Sequence, residues 1–248
     1  MAAVTFRVLG SGDAFASGGR LQTCFHVVCG ARQLLIDCGA TALVGAKRFG
    51  VDPAAIDAIL LSHLHGDHIG GLPFLLLHGQ HVARRTRPLV IAGPEGTGPR
   101  LAALLAAMFP GAGEGGWRFP LEIVELRPGV PATVVGVRIE ASEVVHPAGA
   151  PPLALRVHCA GRIIAYSGDT QWTDVLPAVG RDADLFVCEC YAFDQPVANH
   201  LSYQELRTRL GTIGAKRVLL THMSEPMLAR LGDIDVATAS DGMVIELD

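Results

Sequence analysis

Residues 60–75 read LLSHLHGDHIGGLPFL. An apolar run ends in three histidines and an aspartate within six positions, His63 to His68, and Gly70-Gly71 follows. Neutral imidazole suits first-row transition metals and carboxylate suits the harder of them, so His63, His65, Asp67 and His68 are good ligands. Side chains two apart in a loop can face one point, so His63 and His65 can serve one ion while Asp67 and His68 turn toward a second. Packing explains such a cluster poorly, because every buried ring needs a hydrogen-bond partner of its own. Gly66 is expected where the turn is tightest, with a helix opening at Gly70-Gly71.

An ion needs three or four ligands, so the remainder must come from elsewhere in the chain. His146 ends SEVVH, Asp169 ends RIIAYSGD and His222 ends RVLLTH. Any one of them alone reads as readily as a cap or a hydrogen-bonded residue. Their repeated placement at the ends of apolar β runs points to one shared site.

The wider pattern supplies a frame. Short β runs (TFRVLG, CFHVVC, QLLIDCG, IDAILLSH, PLVIAG, LEIVEL) alternate with turn-rich or helix-like stretches, ALVGAKRFG and LAALLAAMF among them, the latter in a helix expected to start near Pro94. A second set follows: ATVVGVRIEASEVV, LALRVHC, RIIAYSGD, ADLFVCE, KRVLLTH and MVIEL, with helices at TDVLPAVG and SYQELRTRLGTIG. Two strand sets with interspersed helices imply two packed sheets with helices outside, an α+β fold in one domain spanning residues 1–248. At 248 residues, half of them apolar, the chain can bury a full core without staples, and its six cysteines are expected to be reduced core thiols. A net charge of −4 offers no global attraction for nucleic acid or an anionic membrane. The one local basic run is Arg84, Arg85 and Arg87, which reads as a solvated face unless it lies at the metal mouth. With neither leader nor spanning segment recognisable, a cytoplasmic location is expected.

SHLHGDH resembles the HxHxDH signature of the metallo-β-lactamase-fold hydrolases, and His146, Asp169 and His222 stand in that superfamily's order. The resemblance runs from LGSGDAF to DGMVIEL and implies an αββα four-layer sandwich. It also implies two divalent ions, ordinarily zinc, with manganese or iron as alternatives. One would take His63, His65 and His146, the other Asp67, His68 and His222, with Asp169 bridging. Two such ions polarise a scissile group and bring the pKa of a bridging water from 15.7 to about 7, giving a hydroxide nucleophile in neutral solution.

Within the superfamily the chain is similar to the ribonuclease Z and small-phosphodiesterase branch. LGSGDAF resembles its LGTGSAF, RTRPLVIAGPEG its RPLxIYGPxG, FVCECYAF stands at its HEAT motif, and NHLSYQEL resembles the histidine-Ser/Thr element that follows. Matched residue by residue, Glu189 and His200 fall on the pair thought to protonate the leaving oxygen, which with Asp67 gives the expected catalytic set. Cys188 replaces the HEAT histidine, and Leu201 intervenes before Ser202. These departures leave Glu189 open to a simpler task, orienting a ligand. The other histidines, His26, His78, His81 and His158, read as packed, exposed or helix-terminal.

Between His146 and Asp169 the tRNA-processing members carry a long arm. Here PAGAPPLALRVHCAGRIIAYSG leaves room only for a turn and two strands. Without that arm most cationic contacts to a folded RNA are lost. A small phosphodiester, such as a cyclic nucleotide, or another compact ester is the expected substrate, with RNA the minority partner and a homodimer a common assembly among such relatives. The alternatives are a tRNA 3′-processing endoribonuclease without the arm, a lactone or ester hydrolase, an iron-dependent oxidoreductase on the same scaffold, and a non-catalytic binding module. The complete set of seven ligands speaks against the last.

Overall fold

The computed structural model describes residues 4–248. The first half contributes β1 (Val4–Gly10), β2 (Cys24–Cys29), β3 (Arg32–Ile36), α1 (Ala42–Arg48), β4 (Ala58–Leu60), α2 (Gly66–Ile69), α3 (Leu72–Leu77), β5 (Leu89–Gly93), α4 (Thr97–Met108) and β6 (Leu121–Glu125). The second half contributes β7 (Ala132–Val134), β8 (Val137–Glu143), β9 (Leu153–Cys159), β10 (Arg162–Tyr166), α5 (Leu176–Gly180), β11 (Leu185–Glu189), α6 (Tyr203–Ile213), β12 (Val218–Thr221), α7 (Glu225–Leu228), β13 (Ala237–Thr238) and β14 (Val244–Leu247). Two seven-stranded sheets result, in the orders β14-β1-β2-β3-β4-β5-β6 and β13-β12-β11-β10-β9-β8-β7.

Three apolar layers hold the sheets and helices in register. Phe6, Phe25, Leu34 and Ile36 of the first sheet meet Ile139, Leu155, Ile164 and Tyr166 of the second. Neighbours one position along the strands of that sheet, such as Leu35 and Ile59, point the other way and pack under α1, α3 and α4 through Ala46, Leu72, Leu76, Leu101 and Leu105. On the far face Phe186, Cys188 and Leu220 pack under α5 and α6 through Leu176, Val179, Leu206 and Ile213. The period-two alternation of each strand thus feeds a central and an outer core, which makes the fold the expected αββα sandwich. Among the described residues no helix is long and apolar enough to cross a membrane.

Several local expectations are revised. Residues 132–143 form a hairpin instead of one strand, because Val135 and Gly136 both take positive φ (46° and 86°), the backbone of a tight two-residue hairpin turn. The helix after β5 starts at Thr97, whose side chain donates to the Pro94 carbonyl, so Pro94 precedes the helix and Pro99 falls in its first turn. Cys29 and Cys159 are not free thiols: they end β2 and β9, stand with Cα atoms 5.3 Å apart and form a disulfide between the two sheets. Cys24, Cys38, Cys188 and Cys190 are buried and free.

The topology also sets where a site can form. Strands β3, β4 and β5 run parallel in one sheet, as do β10, β11 and β12 in the other, so their carboxyl ends gather on one side of the molecule. The Leu153 amide donates to the Ser62 carbonyl and the His222 amide to the Ser11 carbonyl, joining the two sheets at that edge.

Candidate metal centre

Every predicted ligand arrives at that edge. His63, His65, Asp67 and His68 follow β4 directly, Asp169 follows β10, His222 follows β12, and His146 lies three residues past β8. The helix expected at Gly70-Gly71 is α3, with Gly71 as its N-cap, and a further short helix, α2, begins at Gly66 within the ligand run. Open space surrounds the position a methyl group would take on Gly66, so this residue is not the tight point of the turn. The tight approaches are at Gly39, where a Cβ would collide with the Asp67 carbonyl oxygen, and at Gly71, where it would collide with the Gly39 carbonyl oxygen. A side chain at either position would push the ligand loop off the turn that follows β3.

The seven side chains form two adjoining groups. The ligating atoms of His63, His65 and His146 lie within 4.8 Å of one another, and so do those of Asp67, His68, Asp169 and His222. Asp169 Oδ2 stands 3.8 Å from His63 Nε2, 3.3 Å from His68 Nε2 and 3.1 Å from His222 Nε2, so it reaches into both groups.

One nitrogen of each ring is fixed by a partner outside the cluster. His68 Nδ1 pairs with Asp37 Oδ2 at 2.7 Å, His63 Nδ1 with Ser62 Oγ at 3.1 Å, His222 Nδ1 with Thr23 Oγ1 at 3.2 Å and His146 Nδ1 with the Asn199 carbonyl at 3.1 Å. Each of these rings therefore turns Nε2 inward. His65 is reversed: its Nε2 meets the Pro147 carbonyl at 3.2 Å and its Nδ1 faces His146. Such outer partners set the tautomer and aim the free lone pair, an arrangement typical of metal-ligating histidines.

The inward atoms are left wanting. His63 Nε2, His68 Nε2 and Asp169 Oδ1 are buried and make no hydrogen bond among the described residues. A buried polar atom without a partner costs about 1–3 kcal/mol, and several aimed at one place form a cage for a cation. Charge tells the same story. Burial disfavours a charged His68, but Asp169, Asp37 and Asp67 outweigh it and hold the imidazole well above its ordinary pKa. Burial likewise opposes the Asp169 carboxylate, yet His222, His68 and His63 keep it well below the usual carboxylate range. His63 is pushed down by burial, by His68 and by the other rings around it. Three carboxylates around a buried imidazole form a site that takes positive charge, and the residues present fit divalent metal.

Beside this cluster lies the other predicted pair. His200 comes within the same 4.8 Å reach of His146 and Asp169, but its Nδ1 is taken by Glu189 Oε1 at 3.0 Å. Glu189 is fully buried and also accepts from the amides of Thr170 (2.7 Å) and Leu201 (3.3 Å), tying the residue after Asp169 to the His200 loop. Burial pushes the Glu189 carboxyl up; burial also works against charge on His200, but the Glu189 hydrogen bond and charge more than reverse that and raise the imidazole. His200 lines the cavity over the cluster, whereas Glu189 stands behind it.

That cavity measures about 330 Å³. Its polar side is His65, Asp67, His146, Asp169, His200 and His222, and its apolar side is Ala14, Phe15, Tyr191, Val197 and Ala198. The arginine run is elsewhere. Arg85 is buried and its guanidinium donates to the carbonyls of Ala54, Ile56, Arg87 and Pro88, while Arg87 pairs with Asp57. These groups sit at the amino ends of β4 and β5, opposite the cluster, with Arg84 exposed beside them.

The family follows from comparison. Residues 4–238 match the model of the family described as anti-Pycsar protein Apyc1. The chain belongs to the anti-Pycsar protein Apyc1 family. This Apyc1-family chain is 31% identical over 192 residues to a ribonuclease Z of Mycobacterium bovis (strain BCG / Pasteur 1173P2), covering 73% of this chain and 68% of the relative. It is 34% identical over 218 residues to a protein of Mycobacterium tuberculosis (strain ATCC 25618 / H37Rv) described as uncharacterized, covering 85% and 77%. The crystal structure of the metallo-β-lactamase-fold protein YhfI from Bacillus subtilis superposes with a TM-score of 0.80 at 23% identity over all of both chains. The Apyc1-family chain is thus a metallo-β-lactamase-fold metallo-hydrolase with ribonuclease Z-like relatives.

Sequence reasoning missed Asp37, Ser62, Thr23 and Asn199. Asp37 had a readable signal: it ends the apolar run QLLID just as Asp169 ends RIIAYSGD. Its backbone, like those of Asn199 and His222, has positive φ (56°, 66° and 59°), conformations costly enough outside glycine to need support from their surroundings. The hydroxyls and the Asn199 carbonyl carry no sequence signal, since any residue can present a carbonyl.

Proposed function

We propose that this protein is a phosphodiesterase that hydrolyses a small phosphodiester, a cyclic nucleotide being the representative substrate, with two divalent ions, zinc or manganese, at the cluster. The observation that carries the reading is the set of buried atoms His63 Nε2, His68 Nε2 and Asp169 Oδ1, which make no hydrogen bond among the described residues and converge within the two ligand groups beneath the cavity. In this reading His63, His65 and His146 hold one ion, Asp67, His68 and His222 the other, and Asp169 spans both. When bound, the ions supply Lewis acidity and a water that ionises near neutral pH.

The chain's own residues perform the rest. His200, raised in pKa and exposed to the cavity, carries a proton on its cavity-facing nitrogen and gives it to the departing alkoxide oxygen. Glu189 does not touch the cavity; it fixes the His200 tautomer through Nδ1 and so positions the donor. Compact substrates are favoured by the size of the cavity, by the short hairpin β9-β10 that occupies the chain between His146 and Asp169, and by the engagement of Arg85 and Arg87 at the opposite end.

Protein loaded with zinc or manganese should bind two equivalents and turn over bis(4-nitrophenyl) phosphate and 3′,5′-cyclic nucleotides, with Asp169→Ala inactive. Turnover of lactones or carboxylic esters alone would replace the reading. Preferential cleavage of unprocessed tRNA would restore the endoribonuclease alternative, and iron in protein purified without added metal, with no hydrolysis, would move it to redox chemistry.

A further inference from the structure

We infer that Phe15 is a stacking platform that holds the nucleobase of the substrate, with Tyr191 as the neighbouring aromatic wall. The inference rests on the phosphodiesterase reading and adds the contact that selects a base-bearing phosphodiester. Phe15 is 79% exposed, the most exposed large apolar side chain among the described residues, and it borders the cavity over the cluster. Burial of a phenyl ring is favourable, so a bound group that covers Phe15 at the rim of the cavity gains by doing so.

The loop is built to keep it there. Buried Asp13 accepts from the Phe15 amide (3.2 Å) and the Ser17 amide (2.9 Å) through Oδ1, and from the Ser17 hydroxyl (2.7 Å) through Oδ2. Ala16 takes positive φ (56°) to turn the chain just after Phe15. Gln22 donates to the Ala14 carbonyl at 3.2 Å and accepts from the Ala40 amide at 2.9 Å, and the Gly18 amide donates to Glu225 at 2.7 Å. A tip pinned on three sides carries a ring that touches no core, beside a cavity whose other side is entirely polar.

Tyr191 lines the same cavity and is itself held, its ring stacked on His200 with centroids 4.8 Å apart. A phosphoryl group at the histidines would leave the remainder of a compact substrate against Phe15 and Tyr191. The group that gains from flat aromatic faces while remaining open to water is a nucleobase, since stacking uses its π-face and leaves its polar edge hydrated.

The test separates two substrates and two readouts. Wild type, Phe15→Ala, Phe15→Leu and Phe15→Trp are compared on adenosine 3′,5′-cyclic phosphate and on methyl riboside 3′,5′-cyclic phosphate, which lacks the base. The Ala and Leu variants should lose about 5- to 150-fold in kcat/KM on the nucleotide, chiefly through KM, and stay within about twofold on the base-free compound, while Trp retains activity. Equilibrium binding of the slowly hydrolysed cyclic phosphorothioate should weaken by the same factor. Equal losses on both compounds, no loss on either, or unchanged phosphorothioate binding overturn the role of Phe15. Failure of the wild type to hydrolyse either compound overturns the phosphodiesterase reading instead, and the binding comparison still decides Phe15.

Discussion

Strand β4 has two ends of opposite character. At its carboxyl end His63 and His68 are wholly buried and each keeps one ring nitrogen without a partner. At the amino end of the same layer Arg85 is nearly as buried, yet its guanidinium satisfies four backbone carbonyls. Both regions read in sequence as clusters of polar residues beside apolar strands. The difference is in the accounting of hydrogen bonds: a buried polar group whose valences are filled is architecture, and several open valences that converge on one point make a place for a ligand. Net charge near a strand end says little until the partners are counted.

The comparison breaks most sharply at His200. Replacing it with alanine should cut kcat by roughly 10²–10⁴ per folded molecule while metal stoichiometry stays unchanged, because the seven candidate ligands of the two groups do not include it; loss of metal on the same substitution would make His200 a ligand instead. Arg85→Met acts at the other end. It strips four carbonyls of their donor and should cost about 3–5 kcal/mol in denaturant unfolding, with kcat per folded molecule intact.

Asp37→Asn sharpens the first pole. The amide can still accept from the Ser62 backbone, which bonds Asp37 Oδ1 at 2.7 Å, but its NH2 then faces His68 Nδ1 and drives the proton to Nε2, the inward atom. Metal affinity measured by competition with a chromogenic chelator should fall about 10- to 100-fold, and an unchanged affinity would show the tautomer to be free. The smallest effect is expected at Asp184, near the amino-end pole, which accepts from the Ile163 amide and from Lys216, both at 2.8 Å. Burial opposes its charge, but these bonds win and hold its pKa below the ordinary value. A depressed pKa contributes stability above the unfolded-state value that is lost as pH falls through the folded one. Asp184→Asn should therefore lower Tm by about 2–4 °C at neutral pH, with the difference from wild type vanishing on acidification below the ordinary aspartate range.

Much of the fold was legible because strand periodicity and strand-end punctuation are local. The runs TFRVLG, CFHVVC and RIIAY occur as strands, and the seven candidate ligands stand at or just past strand ends, where an abrupt change from apolar to polar is visible in one dimension. The hairpin at Val135-Gly136 was not legible, since a valine with positive φ contradicts its own preference and is held only by the pairing of β7 with β8. The disulfide was not legible either: Cys29 and Cys159 are 130 positions apart, and only the stacking of the two sheets puts them in reach.

By itself the amino-acid order determined the residue types, their spacing and the strands that deliver them, hence a metallo-hydrolase of αββα architecture. The tertiary structure alone decided which nitrogen of each histidine faces inward, that Asp37 orients His68, that Glu189 stands behind His200, and that the arginines lie at the far end. The reason is that chain order sets local dihedral preference and burial pattern, whereas a lone pair's direction and a charge's neighbours are properties of the packed sheets.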